Sequence, residues 1–360
     1  MIERPLSAAL STGFPRRAFL LTAAAAGAAA ISLPRIALAR PAVTSSDNPG
    51  TNFIWTPLSR DGAAFRASMG TGDGGNSLIF RKEGFAVLID TKNAPLGRLI
   101  ANDALLAFGF NIFESDQALV INTHHHADHT GGNHGFVGKV PVLAHKKAAE
   151  RIRAQFENYK KAAAAAIRQA NASTDEAGKR RKNQIMGMEK EVESWVADTF
   201  APTQVMESDR QEVKVGPITL LLRHFGAGHT DNDVVVYSPE LNVLHTGDLL
   251  FNKVWPYVDR AGGFSSTGWI NSLSRTLELC DKDTIIVPGH GDLTNRSGIR
   301  ALIDLLLSQS QRARDAVKAG QSREEFIKIP TPEYAEYAAA DWIRPITLGG
   351  MYDEAKAFTP

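Results

Sequence analysis

Four histidines and one aspartate lie within six residues in the segment T-H-H-H-A-D-H-T-G-G, which spans 123–132. The segment directly follows A-L-V-I-N, 118–122, an apolar run typical of a buried strand. Imidazole and carboxylate groups are costly to bury in a loop unless a cation pairs with them. Zinc suits these ligands, and similar sets accept iron or manganese. The segment therefore predicts a metal site at a strand end, with a solvated histidine-rich loop as the alternative.

Three more polar residues each follow a short apolar run elsewhere in the chain. His229 lies in F-G-A-G-H-T-D, Asp248 in L-H-T-G-D, and His290 in V-P-G-H-G. The apolar runs predict strands, so each polar side chain is expected where a strand ends. In α/β proteins, the loops at one edge of a sheet commonly build a single ligand site. We therefore expect these three loops and 123–132 to converge on one centre.

The motifs H-x-H-x-D-H, G-H-T, T-G-D and P-G-H occur in this order, and together they resemble those of the metallo-β-lactamase superfamily. The resemblance covers most of the chain beyond its N-terminal segment. It implies an α/β fold, in the form of a four-layer αββα sandwich. It also implies two bound zinc ions, with iron or manganese as the other metals that such ligands accept.

The resemblance further implies a role for each motif residue. One ion would be held by His124, His126 and His229, the second by Asp128, His129 and His290, and Asp248 would bridge the two. Asp90, which ends F-A-V-L-I-D, matches the superfamily's early aspartate and would support the loops without binding metal. His125 is expected to point away from the ions. The remaining histidines, expected in surface or core positions, are His134, His145, His224 and His245, the last close enough to Asp248 to support it.

Such a centre would perform hydrolysis without a serine or cysteine nucleophile. Two divalent ions that share a water lower its pKa from 15.7 to about 7, so a hydroxide between the ions is the expected attacking group. Asp128 and Asp248 are the predicted catalytic residues, because both would hold the ions and orient the hydroxide. We also expect Asp128 to pass a proton to the leaving group.

The sequence says much less about the substrate than about the chemistry. The first hypothesis is a zinc hydrolase of a small ester, thioester, lactone or amide. The alternatives are an iron-dependent oxidoreductase similar to persulfide dioxygenases, a β-lactamase, and a non-catalytic metal-binding module. A β-lactamase is disfavoured because Asp248 replaces the cysteine ligand of the lactamases that this stretch resembles, and Lys253 lies at a different spacing from their substrate-binding lysine.

The segment 250–269 directly follows Asp248 and combines aromatic side chains with flexible glycines. We expect it to form part of the wall of the substrate pocket, with packing beneath the loop as the alternative. The predicted pocket residues are Phe251, Lys253, Trp255 and Tyr257.

Strands and helices alternate through most of the chain, which predicts one metallo-β-lactamase-like domain over 53–320. A helical hairpin insertion is predicted over 146–200, because 146–170 contains neither glycine nor proline. Its apolar stripe of Ile185, Met188, Val192 and Trp195 favours packing over lining a cleft. Ser173 and Glu176 form a potential capping box for its second helix. Residues 321–360 are predicted to be a helical, aromatic extension that packs on the domain.

The first forty residues resemble an export signal more than part of a domain. Arg16 and Arg17 precede an apolar run that ends near Leu33, and Ala37-Leu38-Ala39 is a typical cleavage site. A signal peptide, similar to twin-arginine signals, is predicted over 1–39, although Pro15 and Leu21 depart from the usual pattern. General secretion is the alternative route. The apolar run is shorter than the ~20 residues that span a bilayer, so no stable membrane insertion is expected after cleavage.

Composition excludes other classes of protein. The 360 residues have a formal charge of +1 and no block of like charges, so no nucleic-acid partner is expected. The single cysteine, Cys280, excludes an intramolecular disulfide and is expected in the core. The predicted protein is periplasmic or secreted, begins with a flexible lead-in over 40–52, and acts on a small molecule. Its oligomeric state does not follow from the sequence.

Overall fold

The structure is a computed structural model that describes residues 52–68, 74–94, 96–174 and 188–358, together with Lys179, Lys182 and Ile185. The predicted signal peptide and nearly all of the predicted lead-in lie outside the described residues, as does Glu176 of the predicted capping box. Within the described part, no helix is both long enough and apolar enough to cross a membrane.

The first sheet has seven strands that neighbour one another in chain order. They are β1 Ile54–Pro57, β2 Ala64–Ser68, β3 Ser77–Lys82, β4 Phe85–Ile89, β5 Gln117–Ile121, β6 Val142–Ala144 and β7 Gln204–Val205. Pairing is antiparallel from β1 to β4 and parallel from β4 to β7. Glu83 and Gly84 both have positive φ, the backbone of a tight hairpin turn, so β3 and β4 form a β-hairpin.

The second sheet has five strands in the order β13-β11-β10-β9-β8. They are β8 Arg210–Val215, β9 Ile218–His224, β10 Val234–Ser238, β11 Val243–His245 and β13 Ile285–Val287. Neighbours are antiparallel except β11 and β13, which are parallel. Two very short strands, β12 Phe251–Asn252 and β14 His290–Gly291, pair with each other beside the predicted site.

Helices cover the outer face of each sheet. They are α1 Gly97–Phe108, α2 Ala127–Thr130, α3 Lys146–Ala154, α4 Phe156–Ala172, α5 Met188–Ser194, α6 Ser266–Glu278, α7 Arg296–Lys318, α8 Arg323–Phe326 and α9 Ile343–Ala357. Residues of α1, α3, α4 and α5 share a core with the first sheet. Residues of α6, α7 and α9 share a core with the second.

Alternation along the strands explains why the two sheets stack between helical layers. In β3, Leu78 and Phe80 enter the core between the sheets, whereas Ile79 packs toward the helices. In β10, Val234 and Val236 face the first sheet, and Val235 faces the helices of the second. Successive side chains of a strand point to opposite faces, so uninterrupted apolar runs make strands buried on both sides. The predicted αββα sandwich is confirmed.

The helical insertion differs from its prediction in one respect. The unbroken segment 146–170 is divided at Gln155, where α3 ends and α4 begins. The Gln155 side chain donates a hydrogen bond to the backbone carbonyl of His125, in the histidine-rich loop. Glutamine is a good helix former, so local propensity gave no sign of this break. The predicted stripe of Ile185, Met188, Val192 and Trp195 is buried in the core, as expected.

The C-terminal extension forms a helix that is integral to the second helical layer. Leu348, Met351 and Tyr352 of α9 belong to the same buried cluster as Leu302 and Leu305 of α7. The Tyr352 hydroxyl also donates to the backbone carbonyl of Gln321, at 2.6 Å. Residues just before α9 reach the cavity described below.

Candidate metal centre

Four loops at strand ends bring the predicted ligands together. His124, His126, Asp128 and His129 follow β5, and the last two are in the one-turn helix α2. His229 follows β9, Asp248 follows β11, and His290 follows β13. The structure thus brings all seven predicted metal-binding side chains to one edge of the sandwich.

The first group consists of His124, His126, His229 and Asp248, whose potential ligand atoms all lie within 4.8 Å of one another. His126 Nδ1 is 3.0 Å from His229 Nε2. Asp248 Oδ2 is 3.7 Å from His124 Nε2 and 3.5 Å from His229 Nε2. Two ligands at ~2.1 Å from one tetrahedral zinc ion are about 3.4 Å apart, so the spacing fits a shared ion.

The second group consists of Asp128, His129 and His290. Asp128 Oδ2 lies 3.0 Å from His290 Nε2 and 3.5 Å from His129 Nε2. Asp248 is close to this group as well, with Oδ1 3.1 Å from His129 Nε2 and Oδ2 3.3 Å from His290 Nε2. The carboxylate of Asp248 therefore contacts both groups, which is the geometry that a bridging ligand requires.

Outer hydrogen bonds fix which ring nitrogen of each histidine faces the centre. Thr123 Oγ1 lies 3.1 Å from His124 Nδ1, and Asp90 Oδ2 lies 2.7 Å from His129 Nδ1. The Tyr257 carbonyl is 2.9 Å from His229 Nδ1. Outer partners of this kind fix the tautomer and orientation of metal-binding histidines. Because these contacts use Nδ1, the Nε2 atoms of the three rings face inward.

Asp259 supports His126 in the same way, but its contact is with Nε2 of that ring and not with Nδ1. His126 Nε2 donates to Asp259 Oδ2 at 2.9 Å, which leaves His126 Nδ1 to face the first group. The fifth ring, His290, is stacked on Phe251, with centroids 5.0 Å apart and planes 8° apart. Phe251 and His290 are paired residues of β12 and β14, so strand pairing positions this ring.

Unpaired buried atoms provide a test of whether the residues fit a metal. His124 Nε2 and His129 Nε2 are buried and form no well-directed hydrogen bond with any described residue, although Asp248 Oδ1 lies 3.1 Å from His129 Nε2. Buried polar atoms of native proteins nearly always have a partner, so such atoms call for an explanation. A divalent cation supplies one, because it binds the lone pairs that face inward. The donors fit zinc, iron or manganese.

The two groups have opposite electrostatic character. Burial, together with neighbouring imidazoles, lowers the pKa of His124 well below its usual value and that of His229 to about 3. Burial alone would also lower the pKa of His290, but the carboxylates of Asp248 and Asp128 outweigh it and raise that pKa to about 9. The pKa of His129 is raised for the same reason. His124 and His229 are therefore neutral imidazoles, whereas His129 and His290 of the second group are protonated until a metal replaces the protons.

Asp90 supports the loops, as the sequence predicted. Its Oδ1 accepts from the Thr123 backbone amide and its Oδ2 from the Thr123 hydroxyl, both at 2.8 Å, in addition to contacting His129. Gly132 is also required locally, because a Cβ there would lie 1.9 Å from the Thr91 carbonyl oxygen. The glycines after the histidine-rich loop thus let it lie directly on the segment after β4.

The histidines outside the motif have structural contacts. His125 Nδ1 lies 3.1 Å from Asn232 Nδ2, and its ring lines the cavity beside Asp259 without joining either group. His245 Nδ1 accepts from the Gly247 amide at 3.0 Å, which supports the turn before Asp248. His134 packs on Trp195. His145 and His224 are stacked on each other near Asp209.

A cavity of about 840 Å³ opens directly above the two groups. Phe251 and Tyr257 line it, as predicted, and so does Asp128. Lys253 and Trp255 do not line it, which corrects the prediction for these two residues. Lys253 has a positive φ of 55°, and its ammonium group pairs with Glu336 at 3.1 Å. Trp255 is fully buried against Tyr334 and Tyr337.

Two residues of the site had no assigned role in the sequence analysis. Asp259 lies 133 positions from His126 in the chain, so no motif joins the two residues. Gln155 lies 30 positions after His125, whose carbonyl it contacts. An acidic residue next to pocket-forming aromatics was the only signal available for Asp259.

The sequence profile described as "Metallo-beta-lactamase superfamily" matches residues 70–290. With the fold and the histidine–aspartate cluster, this match shows that the chain belongs to the metallo-β-lactamase superfamily. Members of that superfamily are mostly hydrolases.

The curated relatives are similar over only part of their length. An uncharacterized protein of Mycobacterium tuberculosis is 32% identical over 119 residues, which are 31% of this chain and 52% of that protein. The metallo-beta-lactamase type 2 of Bacillus cereus is 26% identical over 94 residues, 26% of this chain and 37% of that protein. The chain thus spans about half the length, or less, of these relatives.

Among solved structures, the stereoselective inverting sec-alkylsulfatase Pisa1 from Pseudomonas sp. is similar, with a TM-score of 0.56 and 19% sequence identity. The match covers 82% of this chain and 49% of that chain. This likeness shows a common fold and carries no information about the substrate of the present protein.

Proposed function

We propose that this protein is a dinuclear zinc hydrolase that cleaves a small ester, thioester, lactone or amide. The observation that supports the proposal most is the position of Asp248, whose carboxylate contacts both the His124–His126–His229 group and the Asp128–His129–His290 group. A site for one ion would need only one of these groups. The complete double set favours two ions over the single iron of a persulfide dioxygenase-like oxidoreductase.

Zinc, when bound, supplies a Lewis acid and lowers the pKa of a shared water to about 7. The chain's own residues set the geometry around it. Asp248 is only 3% exposed and lies beneath both groups, so its role is to hold them at a fixed separation. Asp128 is 25% exposed and faces the cavity, so it is the carboxylate that can meet a substrate. We assign to Asp128 the transfer of a proton to the leaving group.

The cavity provides the other requirement of catalysis, a place where the substrate is held against the centre. Its volume suits a small organic molecule. Tyr257 lines the cavity. It contacts His229 through its backbone carbonyl and not through its side chain. The Tyr257 ring is therefore available to contact the substrate.

Metal analysis combined with a substrate panel tests this proposal. The purified protein is expected to bind two zinc ions per chain and to hydrolyse at least one class among neutral esters, thioesters, lactones and amides. One tightly held iron per chain, with no hydrolysis, would show an oxidoreductase instead. Two bound zinc ions without hydrolysis across the panel, β-lactams included, would favour a non-catalytic metal-binding module.

The proposal includes export to the periplasm or the medium, on the basis of the arginine pair and the apolar run within 1–39. The twin-arginine route moves proteins that have already folded, so a metal centre could be completed before export. Arg16→Lys combined with Arg17→Lys is expected to leave the protein inside the cell, as fractionation would show. Unchanged export of this variant would rule out the twin-arginine route.

A further inference from the structure

The outer part of the cavity lies between two walls that belong to different parts of the chain. One face of α4 forms the first, which we call the α4 wall, with Asn158, Ala162, Ala165, Ala166 and Gln169. Residues just before and at the start of α9 form the second, the C-terminal wall, with Ala339, Trp342 and Ile343. Neither wall contains a predicted metal ligand.

The α4 wall is distinct from both other faces of its helix. At 100° per residue, the five wall residues fall within one third of the helix circumference. Tyr159, Ala163 and Ile167 form a second face that is buried in the core. The charged residues Lys161 and Arg168 lie on the third face, away from the cavity. Helix α4 therefore presents only small or uncharged side chains to the cavity.

Among the cavity-lining residues that the structure describes, there is no lysine or arginine. The aspartates that line it, Asp128, Asp248 and Asp259, all belong to the metal centre or contact its ligands. Two cations outside the lining are paired with carboxylates, Arg151 with Asp231 at 2.9 Å and Lys253 with Glu336 at 3.1 Å. A carboxylate or sulfate placed between the two walls would therefore meet no lysine or arginine among the residues that line the cavity.

Trp342 lies at the rim of the cavity and is unusually exposed for a large aromatic residue. Its side chain is 59% exposed, although it adjoins the buried Ile343. An exposed large apolar residue at the mouth of a cavity is typical of a binding surface. Its indole, the alanines of α4 and Ile343 together give the outer cavity an apolar surface.

We propose that the α4 wall and the C-terminal wall bind an uncharged, apolar group of the substrate, such as an acyl or alkyl chain of several carbons. This inference rests on the proposed function, because the metal centre would act on the polar group at the other end of the same molecule. It narrows the substrate class to neutral apolar compounds and excludes those with a second, anionic group remote from the bond that is cleaved.

Binding of three hydroxamic acids to the zinc-loaded protein tests the inference without relying on turnover. Acetohydroxamic acid contains only the metal-binding group, octanohydroxamic acid adds an apolar chain, and suberic acid monohydroxamate has a carboxylate in place of the terminal methyl group. Each buried methylene is worth roughly fourfold in affinity. For a chain that stays partly exposed, we expect octanohydroxamate to bind on the order of 10- to 100-fold more tightly than acetohydroxamate.

The carboxylate analogue is expected to bind at least about tenfold more weakly than octanohydroxamate, because its charge loses hydration without gaining a partner. Titration calorimetry measures all three dissociation constants. If acetohydroxamate binds and the carboxylate analogue binds as tightly as octanohydroxamate or more tightly, this inference is wrong and the proposed function is unaffected. If acetohydroxamate does not bind, the metal centre and this inference are both wrong.

Two pairs of variants locate the binding surface. Ala165→Lys, on the α4 wall, is expected to reverse the preference in favour of the carboxylate analogue, whereas Ala164→Lys, on the adjacent charged face, is not. Trp342→Ala is expected to weaken octanohydroxamate severalfold without affecting acetohydroxamate. Phe358→Ala provides the control, since Phe358 is exposed and outside the cavity lining. If Ala165→Lys and Ala164→Lys had the same preference between octanohydroxamate and the carboxylate analogue, the apolar chain would not bind against the α4 wall.

Discussion

The metal centre and the two walls above it are built in different ways. The ligands follow strands of the two sheets, are largely buried, and are mostly held by a second hydrogen bond on their outer side. The α4 wall and the C-terminal wall come from an insertion and a terminal helix, and they present small or half-exposed side chains. Changes at the centre should therefore alter metal binding and rate together, whereas changes in the walls should alter only which molecules bind.

The largest effect is expected for Asp248→Ala. Removal of the shared carboxylate leaves each group one ligand short and the surrounding imidazoles without their central counter-charge. Metal content should fall below two ions per chain, and the rate of hydrolysis by a thousandfold or more, since metal-ion stabilisation is worth several kcal/mol. Asp315→Ala, at an exposed position of α7, is the control. A variant that kept both ions and its full rate would contradict the bridging role.

The two metal groups should also respond differently to pH. Metals bind neutral imidazole, so protons compete wherever the pKa of the metal-free ring is high. Because the pKa of His290 is raised to about 9, zinc affinity of the second group should fall by roughly tenfold per pH unit below 9, and the raised pKa of His129 adds a second proton that competes with the metal. His229, with a pKa of about 3, imposes no such cost on the first group above pH 5.

Zinc content after dialysis against a fixed free-zinc concentration measures this difference. We expect two ions per chain near pH 8 and one near pH 6. Simultaneous loss of both ions as the pH falls would show that the groups do not differ in protonation as described.

A smaller effect is expected for Asp259→Asn. In Asp259 one carboxylate oxygen accepts from the Gly262 amide and the other from His126 Nε2, whereas the asparagine amide has a single acceptor oxygen for these two donors. The contact that aims His126 Nδ1 at the centre is therefore weakened. Loss of such an outer partner typically weakens metal affinity by about 10- to 100-fold. Competition with a zinc chelator measures the change, and Asp283→Asn, on the surface, is the control. An unchanged zinc dissociation constant would mean that Asp259 has no role in orienting His126.

The smallest effect is expected for Lys253→Ala. Its ammonium group is exposed and pairs with Glu336 outside the cavity, and exposed ion pairs contribute little. Zinc content should not change, and kcat/KM for any substrate should change by less than about twofold. Glu336→Gln should behave alike. If kcat/KM fell tenfold or more for Lys253→Ala but not for Glu336→Gln, Lys253 would have to contact the substrate.

The clustering of the seven predicted side chains could be foreseen because each motif contains its own turn residues and follows its own apolar strand. The strand register then fixes where a residue such as His290 must point, through its pairing with Phe251. Errors arose where sequence proximity was taken for spatial proximity. Lys253 and Trp255 follow a ligand closely in the chain, but the positive φ at Lys253 turns one to the surface and the chain buries the other.

By itself, the sequence determined the class of fold and the seven side chains that cluster at one edge of the sandwich, because apolar periodicity and metal-ligand chemistry are local properties of the chain. Only the tertiary structure decided that Asp259 supports His126, that Gln155 ends α3, and that α4 faces the C-terminal segment across the cavity. Those contacts join residues that are far apart in the chain, and hydrogen bonding and packing between them depend on how the layers dock rather than on any local pattern.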